Sequence, residues 1–546
     1  MGRARDSAAA PPAVSAPPGR PPAPPPVHRR AVAAVRRLVP RPVLFGTAVV
    51  AVAVALIPVA YLGVRTAEAG GERIAEELLT ARVGLLALRT LGLAAVVTAG
   101  CLLLGVGSAF LVTRTDLPLR RFFGVLAALP LAVPTYIAGF AWISTVDRFE
   151  GFWPGALVLT LCSYPYVFLP VAAALTGADP AQEEVSRSLG RGAWRTFTDV
   201  TLRQIRPALT GGGLLVALYV LSDFGAASIL RVDTFTRAIF IAFDLGFDRT
   251  AALVLSTVLV VLTVLLLAGE SATRRRGERY ARVGAGSRRP PARSRLGWAR
   301  WPAVAALAGV AALALGVPAV SLAQRMAVGV SRPGSLGEIA VAAGNSLWLS
   351  LAGAALTMLL ALPIGLLSAR APGALTGLLE RLSYLTHALP GVVIGLSLVF
   401  FGINVAYPLY QTTWLLALGY AALFLPLAVA AVAGAAAQAP PILEEVARSL
   451  GRGPVAVLRT VTLPLTLPGI GAGAALVFLT CMKELPATLL LRPTGTDTLA
   501  TELWTHTTVN AYAAAAPYAA LLVLLSSVPT WLLAARSGIL ESEGGR

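Results

Sequence analysis

Very few residues in this chain are suited to chemistry. The three histidines, His28, His387 and His506, are scattered and form no cluster that would hold a metal. Cys101, Cys162 and Cys481 lie in apolar runs without paired spacing, so neither a disulfide framework nor a CxxC metal site is expected. The sole lysine, Lys483, follows Met482 and precedes Glu484. A phosphate-binding GxxxxGK[ST] loop needs its lysine in a quite different setting, and no HExxH is present either. No catalytic residue and no bound cofactor are expected, and any ATP would be hydrolysed by another chain. Two features remain: a pair of carboxylates in apolar surroundings, Asp223 and Glu484, and two polar segments, 179–207 and 440–468.

The elements that must position them follow from hydropathy. Of 546 residues, 56% are hydrophobic and 13% charged, with a mean hydropathy of +0.74. The outer layer of a water-soluble protein must be largely polar, so a soluble enzyme of this composition is excluded. The apolar residues fall in runs long enough to cross a bilayer as helices. They place spans near 43–64, 84–113, 122–146, 154–176, 208–230 and 250–268, then near 302–323, 341–369, 382–405, 412–434, 468–489 and 513–535. The fold class is therefore an all-α polytopic membrane protein of about twelve spans. Residues 1–41, rich in Pro and Arg, form a disordered tail, and 270–301 a basic linker. Residues 42–269 and 302–536 are two membrane units, and 537–546 a short C-terminal tail.

The net charge of +18 is almost entirely arginine. Nucleic acid is not the implied partner, because arginine in the loops on one side fixes membrane orientation. Arg114, Arg120 and Arg121, the loop at 177–207, the linker, and the loops at 370–381 and 435–467 fall on one side, which is therefore cytoplasmic. Both termini fall there too. The opposite loops mix signs, as in Glu72, Arg73, Glu76, Glu77, Asp233, Asp244 and Asp248.

The chain repeats itself. A shift of 256 residues pairs Leu91 with Leu347, Arg114 with Arg370, Pro134 with Pro390, Gly139 with Gly395 and Tyr164 with Tyr420. A five-residue insertion moves the shift to 261, under which Glu183, Glu184, Val185, Leu189 and Gly190 overlie Glu444, Glu445, Val446, Leu450 and Gly451. Under the same shift Thr201 overlies Thr462 and Asp223 overlies Glu484. Six spans per copy is an even number, so the copies enter the membrane in the same direction and are related by an axis along its normal.

The best-matched segment is polar, and packing alone would favour the apolar spans. Asp179-Pro180 starts a helix, with aspartate as N-cap and proline at the first helical position. Glu183 and Glu184 put negative charge near the positive end of that helix. Val185 and Leu189 are four apart and share a face, and Gly190 suits the left-handed stop. Glu444, Glu445, Val446, Leu450 and Gly451 repeat the design. Two such apolar stripes offered by matched halves look like plugs for a two-fold partner; a helix lying at the membrane interface is the plainer alternative.

Glu445-Val446-Ala447, Gly451 and Val461-Thr462-Leu463-Pro464 resemble the "EAA" loop of binding-protein-dependent ABC importer permeases. The first copy, Glu184-Val185-Ser186 with Gly190, departs in carrying Arg203 where that family usually has proline. The fused double layout is similar to the iron(III) branch, as are Ala132-Val133-Pro134-Thr135-Tyr136, Tyr164-Pro165-Tyr166, Ser222-Asp223-Phe224-Gly225 and Lys483-Glu484-Leu485-Pro486. Thiamine, polyamine, sulfate and phosphonate permeases share much of this pattern. The resemblance implies a plasma-membrane permease whose two loops seat on a cytoplasmic ABC ATPase dimer and which receives substrate from an external binding protein. From a different class, an ion-driven secondary transporter would have no use for the duplicated loops.

A charge within a bilayer costs roughly 2.5–3.5 kcal/mol at its centre, so Asp223 and Glu484 mark a pathway, a cavity or a partner. Read about two-thirds along the fifth and eleventh spans, they flank a substrate pathway and attract a cation, or else pair locally with Lys483, Arg231 or Arg492. Tyr136, Tyr164 and Tyr166 read as interfacial anchors, and Pro134, Pro170, Pro390 and Pro426 as kinks within spans.

Overall fold

The computed structural model describes residues 41–68, 70–177, 180–244, 246, 248–277, 294–328, 335–371, 373–386 and 389–536. The tail before residue 41, residues 278–293 of the linker, the tail after 536, Asp179 and His387 lie outside them. Among the described residues the chain is helical, with one isolated bridge, Thr115 to Ser294, as its only extended pairing.

Eight helices are long and apolar enough to cross a membrane, and two bent helix pairs raise the number to ten. The first pair bends by 45° between Arg41–Ala55 and Ile57–Glu68, the second by 93° between 120–132 and Thr135–Thr145. Two shorter apolar helices, Gly391–Asn404 and Tyr512–Ser527, complete the set. The twelve apolar segments of the sequence map onto these elements, but the first is bent and the third, fifth, ninth and eleventh are broken rather than straight. Pro134 and Pro390 do not kink helices; they stand as N-caps of Thr135–Thr145 and Gly391–Asn404. Proline lacks the N–H that a helix interior requires and is tolerated where a helix begins. Pro170 and Pro426 do lie inside helices.

The two halves interlock. Arg41–Ala55 packs on Leu336–Arg370 of the second half, and Ile57–Glu68 on Gly391–Asn404, where Tyr61 meets Phe401 edge-on at 5.9 Å. Reciprocally, Arg300–Ala311 packs on Arg120–Ala128 and Val317–Ala327 on Thr135–Thr145. Ser144 and Ser321 share a hydrogen bond of 2.9 Å there, and Arg325 donates to the Ser144 carbonyl. Each half thus lends its first span to the other, and a single apolar core runs through both. Within each half the long helix Ala81–Arg114 or Leu336–Arg370 is the central post.

Tyr136 and Tyr164 are buried in this core, not anchored at an interface. Tyr166 is half-buried and packs on Tyr219 at 5.4 Å. Tyr136 follows the 93° break, at the start of Thr135–Thr145, and Tyr164 and Tyr166 lie near the middle of the 152–177 span, so none of the three sits at a span end.

Candidate functional site: paired loop helices and the membrane breaks

The two polar segments fold alike. Pro180–Ser188 and Pro441–Ser449 are nine-residue helices, each followed by a glycine in the left-handed region, Gly190 at φ 77° and Gly451 at φ 81°. Around Gly190 the Arg191 amide donates to the Ser186 carbonyl at 3.2 Å and the Gly190 amide to Arg187 at 3.0 Å. Arg452 to Ala447 at 3.1 Å and Gly451 to Arg448 at 2.9 Å repeat the pattern. These crossed bonds satisfy the last carbonyls, and glycine adopts the left-handed turn without steric penalty. A π-helical turn, Phe197–Thr201 or Leu458–Thr462, then leads into the next span.

The polarity of these helices is inverted. Val185 and Leu189 are 59% and 72% exposed, Val446 and Leu450 50% and 76%. The inward face is polar in the first half, where Ser186 bonds Thr196 at 3.2 Å, and small in the second, where Ala447 packs on Val457. Glu184 is exposed and Glu445 half-buried.

Glu183 and Glu444 turn inward. Glu183 pairs with Arg114 at 3.1 Å and accepts from Thr201 Oγ1 at 2.8 Å. Glu444, only 2% exposed, pairs with Arg370 at 2.9 Å and accepts from Thr462 Oγ1 at 3.0 Å. Arg370 also donates to the Ala439 carbonyl at 3.1 Å. The sequence placed these glutamates at the helix start as favourable charge; the structure gives them buried arginine partners as well. Arg114, Arg370, Thr201 and Thr462 were not among the candidate residues. The signal that could have found them is their duplication, since charged and hydroxyl residues kept in register through an apolar repeat need a reason.

The fifth and eleventh spans end earlier than hydropathy suggests, at Ser222 and Lys483. Asp223 and Glu484 therefore do not lie within spans; each is the C-cap of one helix and precedes another, Gly225–Ile229 or Pro486–Leu491. Asp223 is buried and both its carboxylate oxygens are hydrogen-bonded. It accepts from Thr135 Oγ1 at 2.6 Å and from the Ala226 and Ala227 amides at 3.0 and 3.2 Å. Glu484 is half-buried and accepts from the Ala487 amide at 3.1 Å. Of the expected counter-ions, Arg231 is paired with Glu150 at 3.0 Å and Arg492 with Asp497. The Lys483 ammonium instead reaches across to the first half, 3.4 Å from the Leu131 carbonyl. Among the described residues no group of three or more His, Cys, Asp or Glu side chains could hold a metal ion, and Cys101, Cys162 and Cys481 are buried thiols.

A polytopic all-α bundle of two parallel halves, each carrying a capped loop helix at one end and a broken span with a carboxylate at the other, is the architecture of a membrane permease. The model of the binding-protein-dependent transport system inner membrane component matches residues 101–276 and again 361–536, and the chain belongs to that family. The Fe(3+)-transport system permease protein FbpB 2 of Haemophilus influenzae is 40% identical over 480 residues, spanning 87% of this chain and 95% of that one. The sulfate transport system permease protein CysT of Escherichia coli is 29% identical over 184 residues, 30% of this chain and 66% of that one. The molybdenum transport system permease protein ModB of Escherichia coli is 30% identical over 139 residues, 22% of this chain and 60% of that one. The sulfate and molybdenum permeases align with less than a third of this chain, whereas the iron(III) permease aligns with both halves.

Proposed function

We propose that this chain is the fused transmembrane subunit of an ATP-driven importer of iron(III). An external binding protein delivers the ion, and two copies of a cytoplasmic ATPase seat on Pro180–Ser188 and Pro441–Ser449. The observation that carries this reading is the inverted polarity of those helices, duplicated in both halves. Apolar side chains exposed while the carboxylate points inward need a cover, and matched covers call for two copies of one partner. Closing of the ATPase pair then displaces both helices and rocks the halves about the parallel axis between them, exposing the pathway to each side in turn. The loop side and both termini are cytoplasmic, as the arginine bias requires. Among the carboxylates, the half-buried Glu484 serves the cation pathway, and Asp223 shapes the matching break.

Iron is favoured over sulfate or molybdate by the length of the alignment with the iron permease and by two carboxylates at the breaks, since a hard cation suits oxygen donors. The test is reconstitution in liposomes with the cognate ATPase and binding protein, followed by uptake of radioactive ferric iron. ATP-dependent accumulation is expected. Uptake that proceeds without an ATPase, or that carries sulfate and not iron, would sink the proposal.

A further inference from the structure

The loop helices face outward with their apolar sides, so something else must tie them to the membrane part. Each is short and packs mainly on the turns that follow it. The tie is the inward glutamate. Glu183 joins three elements: its own helix, the last residue of the long span Ala81–Arg114, and the π-helical turn that opens the next span. Glu444 joins the same three in the second half through Arg370 and Thr462. All four charged side chains are at most 13% exposed. Arg114 Nε and Nη2 and Arg370 Nε are buried without a hydrogen bond; the glutamate is the ion-pair partner of each guanidinium, and the Ala439 carbonyl also accepts from Arg370.

A buried ion pair is weak evidence of stability, because desolvation offsets much of its attraction. Its use lies in geometry, since a charge with a single buried counter-charge resists sliding or rotating away from it. An apolar contact at the same place would let the helix slip.

We infer that Arg114–Glu183–Thr201 and Arg370–Glu444–Thr462 are the joints through which a push on each loop helix reaches the central posts, so that these are positioning residues for transport. This rests on the functional reading above. A loop helix without its joint would still present Val185, Leu189, Val446 and Leu450 to the ATPase, but its displacement would be lost in local tilting.

The test uses the full importer, chain plus cognate ATPase and binding protein, in liposomes, with iron uptake and ATP hydrolysis measured on the same sample. In R114Q/R370Q, iron carried per ATP hydrolysed is expected to fall about tenfold. R114K/R370K restores part of that ratio, and the swap R370E/E444R restores more of it than E444R alone. Should R114Q/R370Q fail to fold, T201V/T462V removes only the hydroxyl bond of each joint and is expected to lower the ratio two- to threefold. An unchanged ratio in both double variants overturns the inference. So does a proportional fall of uptake and hydrolysis that neither lysine nor the swap corrects, which is what a purely structural role would give. Failure of the underlying reading would look different: the unmodified chain would then show no ATP-dependent uptake.

Discussion

The two halves agree at one end of the molecule and disagree at the other. At the loop helices the main features are doubled: the left-handed glycine, the crossed amide bonds, the inward glutamate on its arginine, the outward apolar pair. At the membrane breaks the partners are exchanged. Thr135 bonds Asp223 in the first half; in the second, the matching positions hold Gly391 and Glu484. A Cβ on Gly391 would lie 2.4 Å from Glu484 Oε1, so the longer acid needs the missing side chain. Likewise Tyr136 packs on Gly225, where a Cβ would lie 2.8 Å from the tyrosine Cβ, while the second half holds Val392 and Pro486. Size is traded between neighbours in each case. On the proposed function, the surfaces that stay alike meet two copies of one partner, whereas those that differ enclose a single interior.

That contrast can be broken at several points. The largest effect belongs to the outward apolar pair. Leu189→Asp and Leu450→Asp should each weaken ATPase binding by roughly 2 kcal/mol, or about 30-fold, as for buried interface anchors. Titration of the ATPase against the purified chain measures this, and a large loss in one half only would refute the equivalence. Next, Asp223→Ala strands three donors and should cost about 1–3 kcal/mol of stability, read as a lower unfolding temperature in detergent. Glu484→Gln should lower iron uptake while leaving the unfolding temperature and the amount in the membrane nearly unchanged. Equal behaviour of the two acids would erase the difference between the breaks.

Gly190→Val and Gly451→Val force a branched side chain into the left-handed region, at a cost of about 1–3 kcal/mol each. Iron carried per ATP should drop in both, and a drop confined to one half would argue against matched levers. The smallest effect tests the size exchange. Thr135→Gly with Asp223→Glu rebuilds the second half's pairing in the first. The double variant should lie within about 0.5 kcal/mol of the original, above the sum of the two single losses, as coupled neighbours do.

Much of this was legible before any fold was known. Hydropathy placed the twelve segments, and register through the repeat found the loop helices down to their glycine stops. Glu183 and Glu444 were found by type and place, but not the direction in which they point. Asp223 and Glu484 were recognised as matched charges, yet hydropathy ran the spans past them because Gly225–Ile229 and Pro486–Leu491 are as apolar as a continuing helix. Tyr136 was misplaced because a window average does not register a bend of 93°, and Tyr164 and Tyr166 because a residue's type does not show which way its helix faces.

The sequence by itself determined which segments enter the membrane, that there are two copies in one orientation, and where each loop helix stops. Those are local or periodic properties, set by runs of apolar residues, by the even number of spans in each copy and by the freedom of glycine. Only the tertiary structure decided that the first span of each half packs on the other, that Glu183 and Glu444 meet Arg114 and Arg370, and that Asp223 is capped while Glu484 stays half-open. Those depend on contacts between residues tens to hundreds of positions apart, whose geometry is fixed by packing and not by local preference.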